Sequence, residues 1–388
     1  MPAAPARGAA PLRWLVVLLL TVAVASGPTV VASVGHRAAE AGGRVAVPLA
    51  PDLLRARVLA SGSVPHQGLA EFRGTLGLPD LPRFGDVAAL LGGTTRARVW
   101  WSAPSLWRVD RLTTGGEQGT YARGPGIGRE ADTVVVWDYE RNRRQTVVGN
   151  PAVRLPRTED LLAPQLARRL LAGLTSGDRL SALPPKWVAG HPGTGLRIEP
   201  SDPRGTVGAV DVWADAATGL PLEVQVSTAA GVVAVTTRWL DLELTAPTAS
   251  LLHPPRPPLA RLESTTAPDA VARFTAQRRW VLPARLAGSA AAPSVAGAAS
   301  YGRGLARFAV IPLPTGLAGD VLDGARGLAP PRTVPGGRLA VIRSGVLSAV
   351  AAVGDDGEHA YVLIGLVLPE VLDRAATELL ASPPPEVR

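Results

Sequence analysis

Short runs in which apolar and polar residues alternate follow one another along most of the chain. Alternation with a period of two is typical of β-strands that bury one face, and the Gly, Pro, Asn and Asp residues between the runs mark turns. Before residue 250 the pattern predicts strands at 69–78, 96–112, 133–148, 195–200, 210–226 and 232–244. Three of these runs contain an internal turn and are predicted to form hairpins: 96–112, 133–148 and 210–226.

Apolar residues recur at helical spacing in a few segments. The segment 51–59 begins with a proline, which suits a first helical turn, and a short helix is predicted to end at Gly92-Gly93. Residues 158–174 repeat leucine at every fourth position, with Pro164 early in the segment. Because hairpins and helices follow each other without a strand–helix–strand rhythm, we predict an antiparallel sheet and the α+β class.

A proline-rich connector at 246–270 separates a second unit, since such a segment fits neither a central strand nor a helix interior. In the second unit we predict strands at 304–313, 338–343, 347–353 and 359–367 and a helix at 368–380. The predicted organisation is a first domain at 51–250, a linker at 251–270 and a second domain at 271–388. The second domain is expected to be a small antiparallel sheet covered by a helix.

The N-terminus has the pattern of an export signal. Arg7 and Arg13 precede residues 14–34, which carry no charge, and residues 23–25 offer small side chains for cleavage. If left uncut, the same apolar stretch is long enough to span a bilayer. We therefore assign residues 1–38 to a signal peptide or an N-terminal membrane anchor. The rest of the chain is expected on the outer side of the cytoplasmic membrane, exported and secreted or membrane-associated.

Composition narrows the possible functions. The 388 residues are 46% hydrophobic and 19% charged, enough for packed cores. The formal net charge is +8, but the basic residues are dispersed in short pairs such as Arg168-Arg169, so nucleic-acid binding is not predicted. Cysteine is absent, which excludes disulfides, thiolate chemistry and a lipobox cysteine.

No sequence pattern indicates an enzyme. The five histidines lie outside any HExxH motif, and no G-x-S-x-G occurs. The glycine-rich stretch 124–128 lacks a phosphate-loop lysine, and the acidic stretch 355–358 is predicted to be a hairpin turn without a metal. We therefore predict no catalytic residue, no cofactor and no metal site.

Two aromatic segments carry a resemblance to a known family. Residues 213–222, Trp-Ala-Asp-Ala-Ala-Thr-Gly-Leu-Pro-Leu, resemble the conserved hairpin of the LolA-like superfamily, and residues 137–139, Trp-Asp-Tyr, resemble its central aromatic strand. Within that superfamily the chain is most similar to the family of the sigma-E regulatory protein RseB (MucB). The second unit, including residues 299–313, also fits that family, so the resemblance covers roughly residues 51–388.

The resemblance implies a curved antiparallel β half-barrel with helices across its concave side. Carriers in this superfamily hold acyl chains, and RseB-like regulators restrain an anti-sigma factor. The expected partners are therefore a lipid or lipoprotein acyl chain and a single-pass membrane anti-sigma factor.

From the residues themselves we expect an apolar groove that needs no catalytic group. Its lining candidates are Val99, Trp101, Val135, Trp137, Val212, Trp213 and Val224. Which strand face they occupy stays open, because a slip of one residue reverses it. Two alternatives also stay open: a protein–protein regulator with a filled cavity, and a structural envelope protein without a lipid ligand.

Overall fold

The computed structural model describes residues 49–75, 91–113, 115–123, 133–149, 157–255, 260–266, 280–292, 298–313, 322 and 329–385. Several predicted features lie outside these residues: the N-terminal segment 1–38, most of the short helix that ends at Gly92, and the glycine-rich stretch 124–128.

Within the described residues, twelve strands form one large sheet. They are β1 His66–Gly74, β2 Thr94–Ala103, β3 Leu106–Thr113, β4 Gly116–Arg123, β5 Val134–Asp138, β6 Arg143–Val148, β7 Arg179–Val188, β8 His191–Glu199, β9 Val207–Asp215, β10 Pro221–Thr228, β11 Val233–Glu243 and β12 Arg261–Thr266. Their order across the sheet is β12-β6-β5-β4-β3-β2-β1-β11-β10-β9-β8-β7. The three predicted hairpins are confirmed as β2–β3, β5–β6 and β9–β10.

The sheet is mixed, which corrects the prediction of a purely antiparallel one. Strand β12 lies at the edge and pairs in parallel with β6, with Arg261 opposite Arg143. It comes from the segment 251–270 that the sequence assigns to a linker. No proline lies between Pro258 and Pro268, so the residues of β12 are free to donate backbone hydrogen bonds.

Besides β12, two further strands of the large sheet are not predicted from the sequence, each for a physical reason. Strand β4 contains Gly116 and Gly119 and has no apolar alternation. Strand β7 contains Pro184 and Pro185, which would interrupt a central strand. Proline is tolerated here because β7 is the other edge of the sheet, where its outer side needs no partner.

Two helices pack on the large sheet: α1, Pro51–Ala60, against β7 and β8, and α2, Ala163–Ala172, against β10 and β11. The single helix predicted at 158–174 is divided into a 3-10 turn, Thr158–Leu161, and α2. Pro164 explains the division, because a proline is accepted in the first helical turn but not in the interior.

The second unit is a smaller sheet backed by a helix. Its six strands are β15 Ala299–Arg303, β16 Ala306–Leu313, β17 Arg332–Val334, β18 Gly337–Ser344, β19 Leu347–Gly354 and β20 Ala360–Gly365, after the short hairpin of β13 Arg285–Leu286 and β14 Ser289–Ala290. The order is β15-β16-β20-β19-β18-β17, with every pair antiparallel. Helix α3, Pro369–Ala381, packs on β18 and β19 and confirms the predicted C-terminal helix.

Backbone hydrogen bonds join the two units. The Thr206 amide donates to the Leu366 carbonyl at 3.1 Å, and the Leu368 amide donates to the Arg204 carbonyl at 2.7 Å. Among the described residues, no helix is both long and apolar enough to cross a membrane.

A candidate ligand-binding face

The register of the large sheet decides which side chains share a face, because residues directly opposite each other on neighbouring strands point to the same side. Val224 lies opposite Val212, and Trp101 lies opposite Trp107. Following such pairs from β9 to β3 places Val99, Trp101, Val212 and Val224 on one face. We call it the covered face, because α1 and α2 pack on it.

Val135 and Trp137 lie on the opposite face. On the covered face Val109 pairs with Thr120, and Thr120 pairs with Val136. The neighbours of Val136 in β5 therefore point away from the helices.

Trp213 also lies on the opposite face, since it follows Val212 in β9. Its indole Nε1 donates to the Pro184 carbonyl at 3.1 Å, and the Lys186 ammonium lies 3.5 Å from its ring centre. Trp213 therefore supports the sheet edge rather than the covered face.

The opposite face is stabilised by ion pairs around Glu71, which is almost fully buried. Its carboxylate accepts from Arg73 at 2.9 Å, from Arg96 at 3.1 Å and from Arg238 at 3.3 Å. Burial raises the pKa of Glu71, but the hydrogen bonds from Arg96 and Arg73 outweigh it and hold the pKa below its usual value.

Trp137 belongs to a second buried cluster on the opposite face. It packs with Tyr121, beside a fully buried carboxylate, Asp110. The Arg108 Nε donates to both oxygens of Asp110, at 2.9 and 2.8 Å, and the Tyr139 hydroxyl lies 3.0 Å from Arg108 Nη2. Burial raises the pKa of Asp110 to about 6, although the bond from Arg108 lowers it. This cluster is internally satisfied, so it is structural.

The covered face carries an aromatic cluster at one end of β1 and β2. Trp101 stacks on Trp107 with ring centres 5.6 Å apart and on His66 at 5.9 Å, and Trp239 meets His66 edge-on at 5.3 Å. The Trp101 Nε1 donates to the Gly62 carbonyl at 3.1 Å. The three indole rings form a wide apolar wall whose N–H groups are already bonded, to the carbonyls of Gly62, Pro104 and Pro221.

His66 is neutral within this cluster. Its Nδ1 donates to the Val64 carbonyl at 2.8 Å, and its Nε2 is buried without a hydrogen-bond partner. Burial lowers the pKa of His66 to about 4; the Val64 bond opposes this, and the charge of Arg168 adds to it.

A narrow cleft remains between the covered face and the segment before α2. Its volume is about 10 Å³, room for roughly one water molecule. It is lined by Ala70, Phe72, Thr95, Ala97, Thr158, Leu161, Leu162 and Thr237.

Helix α2 rests on the sheet through apolar contacts. In the part of the chain that the structure describes, no hydrogen bond or ion pair joins α2 to a strand of the large sheet. Its polar ties run instead to neighbouring segments: Arg55 Nη2 donates to the Leu171 carbonyl at 3.3 Å, and Arg169 pairs with Asp160.

Polar atoms are left unsatisfied at this contact. Within the described part of the chain, both amide atoms of Gln165, in the first turn of α2, are buried without a hydrogen-bond partner, and so is the Thr237 hydroxyl in the cleft. Each buried polar group without a hydrogen-bond partner destabilises the folded state by about 1–3 kcal/mol, so the contact between α2 and the sheet is not optimised for stability.

Two residues next to this face carry no signal in the sequence. Arg168 is half of a short basic pair, and His66 is one of five histidines outside any motif. Sequence spacing does not reveal that, among the described residues, Arg168 has no partner and His66 is buried. Within the described ranges, no group of three or more His, Asp or Glu side chains could hold a metal ion.

A large mixed sheet with one apolar face under two short helices, followed by a smaller sheet backed by a helix, is consistent with a LolA-like, RseB-like fold. The curved half-barrel that the resemblance implies stays a prediction. Among solved structures, the chain is similar to MucB in the MucA/MucB complex of Pseudomonas aeruginosa, with 20% identity, a TM-score of 0.47, and coverage of 84% of this chain and 96% of that one. It is also similar to a LolA superfamily protein from Nitrosomonas europaea (11% identity, TM-score 0.25, 53% and 98% covered). A third is the Mycobacterium tuberculosis lipoprotein LppX (14% identity, TM-score 0.27, 49% and 94% covered).

The solved structures to which the chain is similar thus include the family that its sequence motifs resemble. No family model matches the chain, and no curated protein matches it.

Proposed function

We propose that this protein is an exported, non-enzymatic binding protein that accepts the hydrocarbon chain of a lipid or lipoprotein between α2 and the covered face. The observation that carries the proposal is the nature of that contact: among the described residues, α2 makes no polar bond to the apolar face on which it packs, and the amide of Gln165 in α2 and the hydroxyl of Thr237 in the cleft have no partners. A cover of this kind separates from the sheet more easily than one fixed by hydrogen bonds.

The energetics permit such an exchange. The side chains that α2 buries include Ala163 and Ala167, which remove little apolar surface from water, besides Leu171. Each methylene of a hydrocarbon chain contributes about 0.8 kcal/mol when buried, so about ten methylenes provide on the order of 8 kcal/mol before ordering costs. A tail that occupies the face in place of these side chains compensates for their displacement.

The cleft of about 10 Å³ is too small for a tail, so binding requires α2 or the turn Thr158–Leu161 to move. The same small volume favours the alternative, a protein–protein regulator whose cavity stays filled. The two functions differ in whether a hydrocarbon chain binds at all.

Binding of a fluorescent fatty acid, 11-(dansylamino)undecanoic acid, tests the proposal. We expect saturable binding to the purified chain after removal of residues 1–38, and about tenfold weaker binding, or about 1.4 kcal/mol, for Ala97→Leu, which fills the cleft. Ala182→Leu, on the exposed edge strand β7, is the matched control and is expected to bind as the wild type does. Absence of saturable binding, together with no lipid co-purifying in native mass spectrometry, would refute lipid carriage.

We further propose that the second unit couples hydrocarbon binding at the covered face to a single-pass membrane anti-sigma factor on the outer side of the cytoplasmic membrane. The direct bonds between the units, at Thr206 and Arg204, support such coupling. Pull-down of the partner's exported region, with and without lipid, tests it. Retention that is unchanged by delipidation selects the filled-cavity regulator, and no retention in either state contradicts both.

A further inference from the structure

We propose that Arg168 binds an oxyanion, a carboxylate or a phosphate, next to the aromatic cluster of His66, Trp101 and Trp239. The inference rests on the proposed function, since it assigns the polar end of the same ligand. It starts from a cation that lies in the protein without a partner.

Arg168, in the middle of α2, is half-buried. Among the residues that the structure describes, Arg168 makes no hydrogen bond or ion pair, whereas its neighbour Arg169 pairs with Asp160. Burial and the positive charge of Arg169 lower the pKa of Arg168 to about 10, which leaves the guanidinium charged at neutral pH. A charge that is partly withdrawn from water is normally paired, so the half-buried guanidinium of Arg168 destabilises the fold unless an anion joins it.

The space beside Arg168 is open on the side of Gly62. A Cβ placed on Gly62 would have a single neighbour within 4 Å, the Arg168 Nε at 4.0 Å. The Gly62 carbonyl is the acceptor of the Trp101 indole, so this space adjoins the aromatic cluster. A ligand atom at this position would meet a guanidinium donor and an apolar wall together.

A second buried polar group lies close by. His66 is 1% exposed, and among the described residues its Nε2 has no hydrogen-bond partner. The positive charge of Arg168 contributes to lowering the pKa of His66. Because Nδ1 donates to Val64, Nε2 of the neutral ring is an acceptor. A guanidinium donor and an unused acceptor in the same region suit a group that carries both O⁻ and O–H, such as a monoprotonated phosphate monoester; a carboxylate would use the guanidinium alone.

The distance to the cleft suits an amphiphile. Trp101 of the aromatic cluster and Ala97 of the cleft lie four residues apart on β2 and on the same face, roughly 13 Å along the strand. A hydrocarbon chain of about ten carbons spans such a distance. Its tail would occupy the widened cleft, and its head would reach Arg168.

Four ligands separate the polar contribution from the apolar one: dodecanoate, dodecyl phosphate, uncharged dodecanol and inorganic phosphate. We expect the two amphiphilic anions to bind the wild type about tenfold tighter than dodecanol, as a charge-assisted bond provides. Arg168→Gln should remove this preference and leave dodecanol binding within about twofold of the wild type. Arg179→Gln, which alters an exposed arginine on β7 paired with Glu199, is the matched control and should keep the preference.

The outcomes distinguish this site from the proposed function. If all three alkyl ligands bind equally and Arg168→Gln changes none of them, the hydrocarbon site stands and the oxyanion site is refuted. If no alkyl ligand binds but inorganic phosphate binds in an Arg168-dependent manner, the oxyanion site stands and lipid carriage is refuted.

Thermal unfolding without ligand provides an independent readout. An unpaired buried cation contributes no stability, so Arg168→Gln should unfold at the wild-type temperature or above it. A clear loss of stability in Arg168→Gln would show that Arg168 serves the fold, and would overturn the assignment.

Discussion

His66, on the covered face, makes the stability of the protein depend on pH. The ring is enclosed by Trp101 and Trp239, and burial lowers its pKa to about 4, against 6.5 in the unfolded chain. Between these two values the unfolded chain binds more protons than the folded one. The free energy of unfolding is therefore highest above pH 6.5 and falls as the pH decreases from 6.5 towards 4.

Replacing His66 with phenylalanine removes this dependence and keeps an aromatic ring in the cluster. From pH 7 to pH 4, the wild type should lose up to about 3 kcal/mol more unfolding free energy than His66→Phe. Urea denaturation at pH 7, 5.5 and 4 measures the difference. The raised pKa of Asp110 acts in the opposite direction, but it is common to both proteins and cancels.

The exposed His253 provides the control: His253→Gln should follow the wild-type pH profile. If His66→Phe and the wild type lose stability in parallel, His66 is not buried as a neutral ring.

For single residues, the sequence predicts which of them lie in strands better than it predicts the sheet face to which each side chain points. Val99, Trp101, Val212 and Val224 share the covered face as a lining requires, whereas Val135, Trp137 and Trp213 point away. In β5 the run Val-Val-Val-Trp is apolar at odd and even positions, so alternation cannot identify its buried face. The register comes from pairing with β4, a strand without an apolar pattern of its own.

Among the elements, the turn between β9 and β10 does more than reverse the chain. The Asp215 carboxylate accepts from the Thr218 amide and hydroxyl, each at 2.7 Å, which closes the turn. Arg57 of α1 donates to the Ala216 carbonyl, so the same turn also binds the helix. Gly219 has a φ of 72°, and a Cβ there would lie 2.5 Å from the Arg57 carbonyl oxygen.

Gly219→Ala should therefore lose more unfolding free energy than backbone strain alone explains, because its Cβ would also clash with α1. Gly231→Ala is the matched control, because Gly231 has a φ of 80° with no atom within 4 Å of its Cβ position. We expect the control to lose about 1 kcal/mol and Gly219→Ala at least about 2 kcal/mol, since α1 must shift. Chemical denaturation measures both losses, and limited proteolysis within α1 should be faster in Gly219→Ala alone. Equal losses would mean that α1 does not depend on the turn.

Turn chemistry also explains which elements could be predicted. The sequence predicts the β9–β10 hairpin because Thr218-Gly219 interrupts two alternating runs. It does not predict strands β4, β7 and β12, since glycine, proline or polar residues dominate them and their pairing with neighbouring strands fixes their position in the sheet. The division of 158–174 at Pro164 has a local cause, and that proline was visible in the sequence.

At the scale of the whole molecule, the two units share contacts that no local pattern indicates. Buried residues of both, among them Val207 and Val346, belong to one hydrophobic cluster. The Thr206 hydroxyl donates to the Val346 carbonyl, and Arg204 Nη1 donates to the Ser289 hydroxyl at 3.0 Å. The proline-rich connector indicates that there are two units but not how they meet.

We expect these bonds to make the two units unfold together. Thr206→Pro removes both the amide bond to Leu366 and the hydroxyl bond to Val346, whereas Thr206→Val removes only the second. Calorimetry should show a single transition for the wild type and for Thr206→Val, with a loss of about 1 kcal/mol in the latter. Thr206→Pro should divide the unfolding into two transitions, because the units then lose two of the hydrogen bonds that join them and keep only the bonds of Arg204 and the shared apolar cluster. If Thr206→Pro retains one transition at the temperature of Thr206→Val, the bonds of Arg204 and the apolar cluster are enough to couple the units, and coupling between the covered face and the second unit would not depend on Thr206.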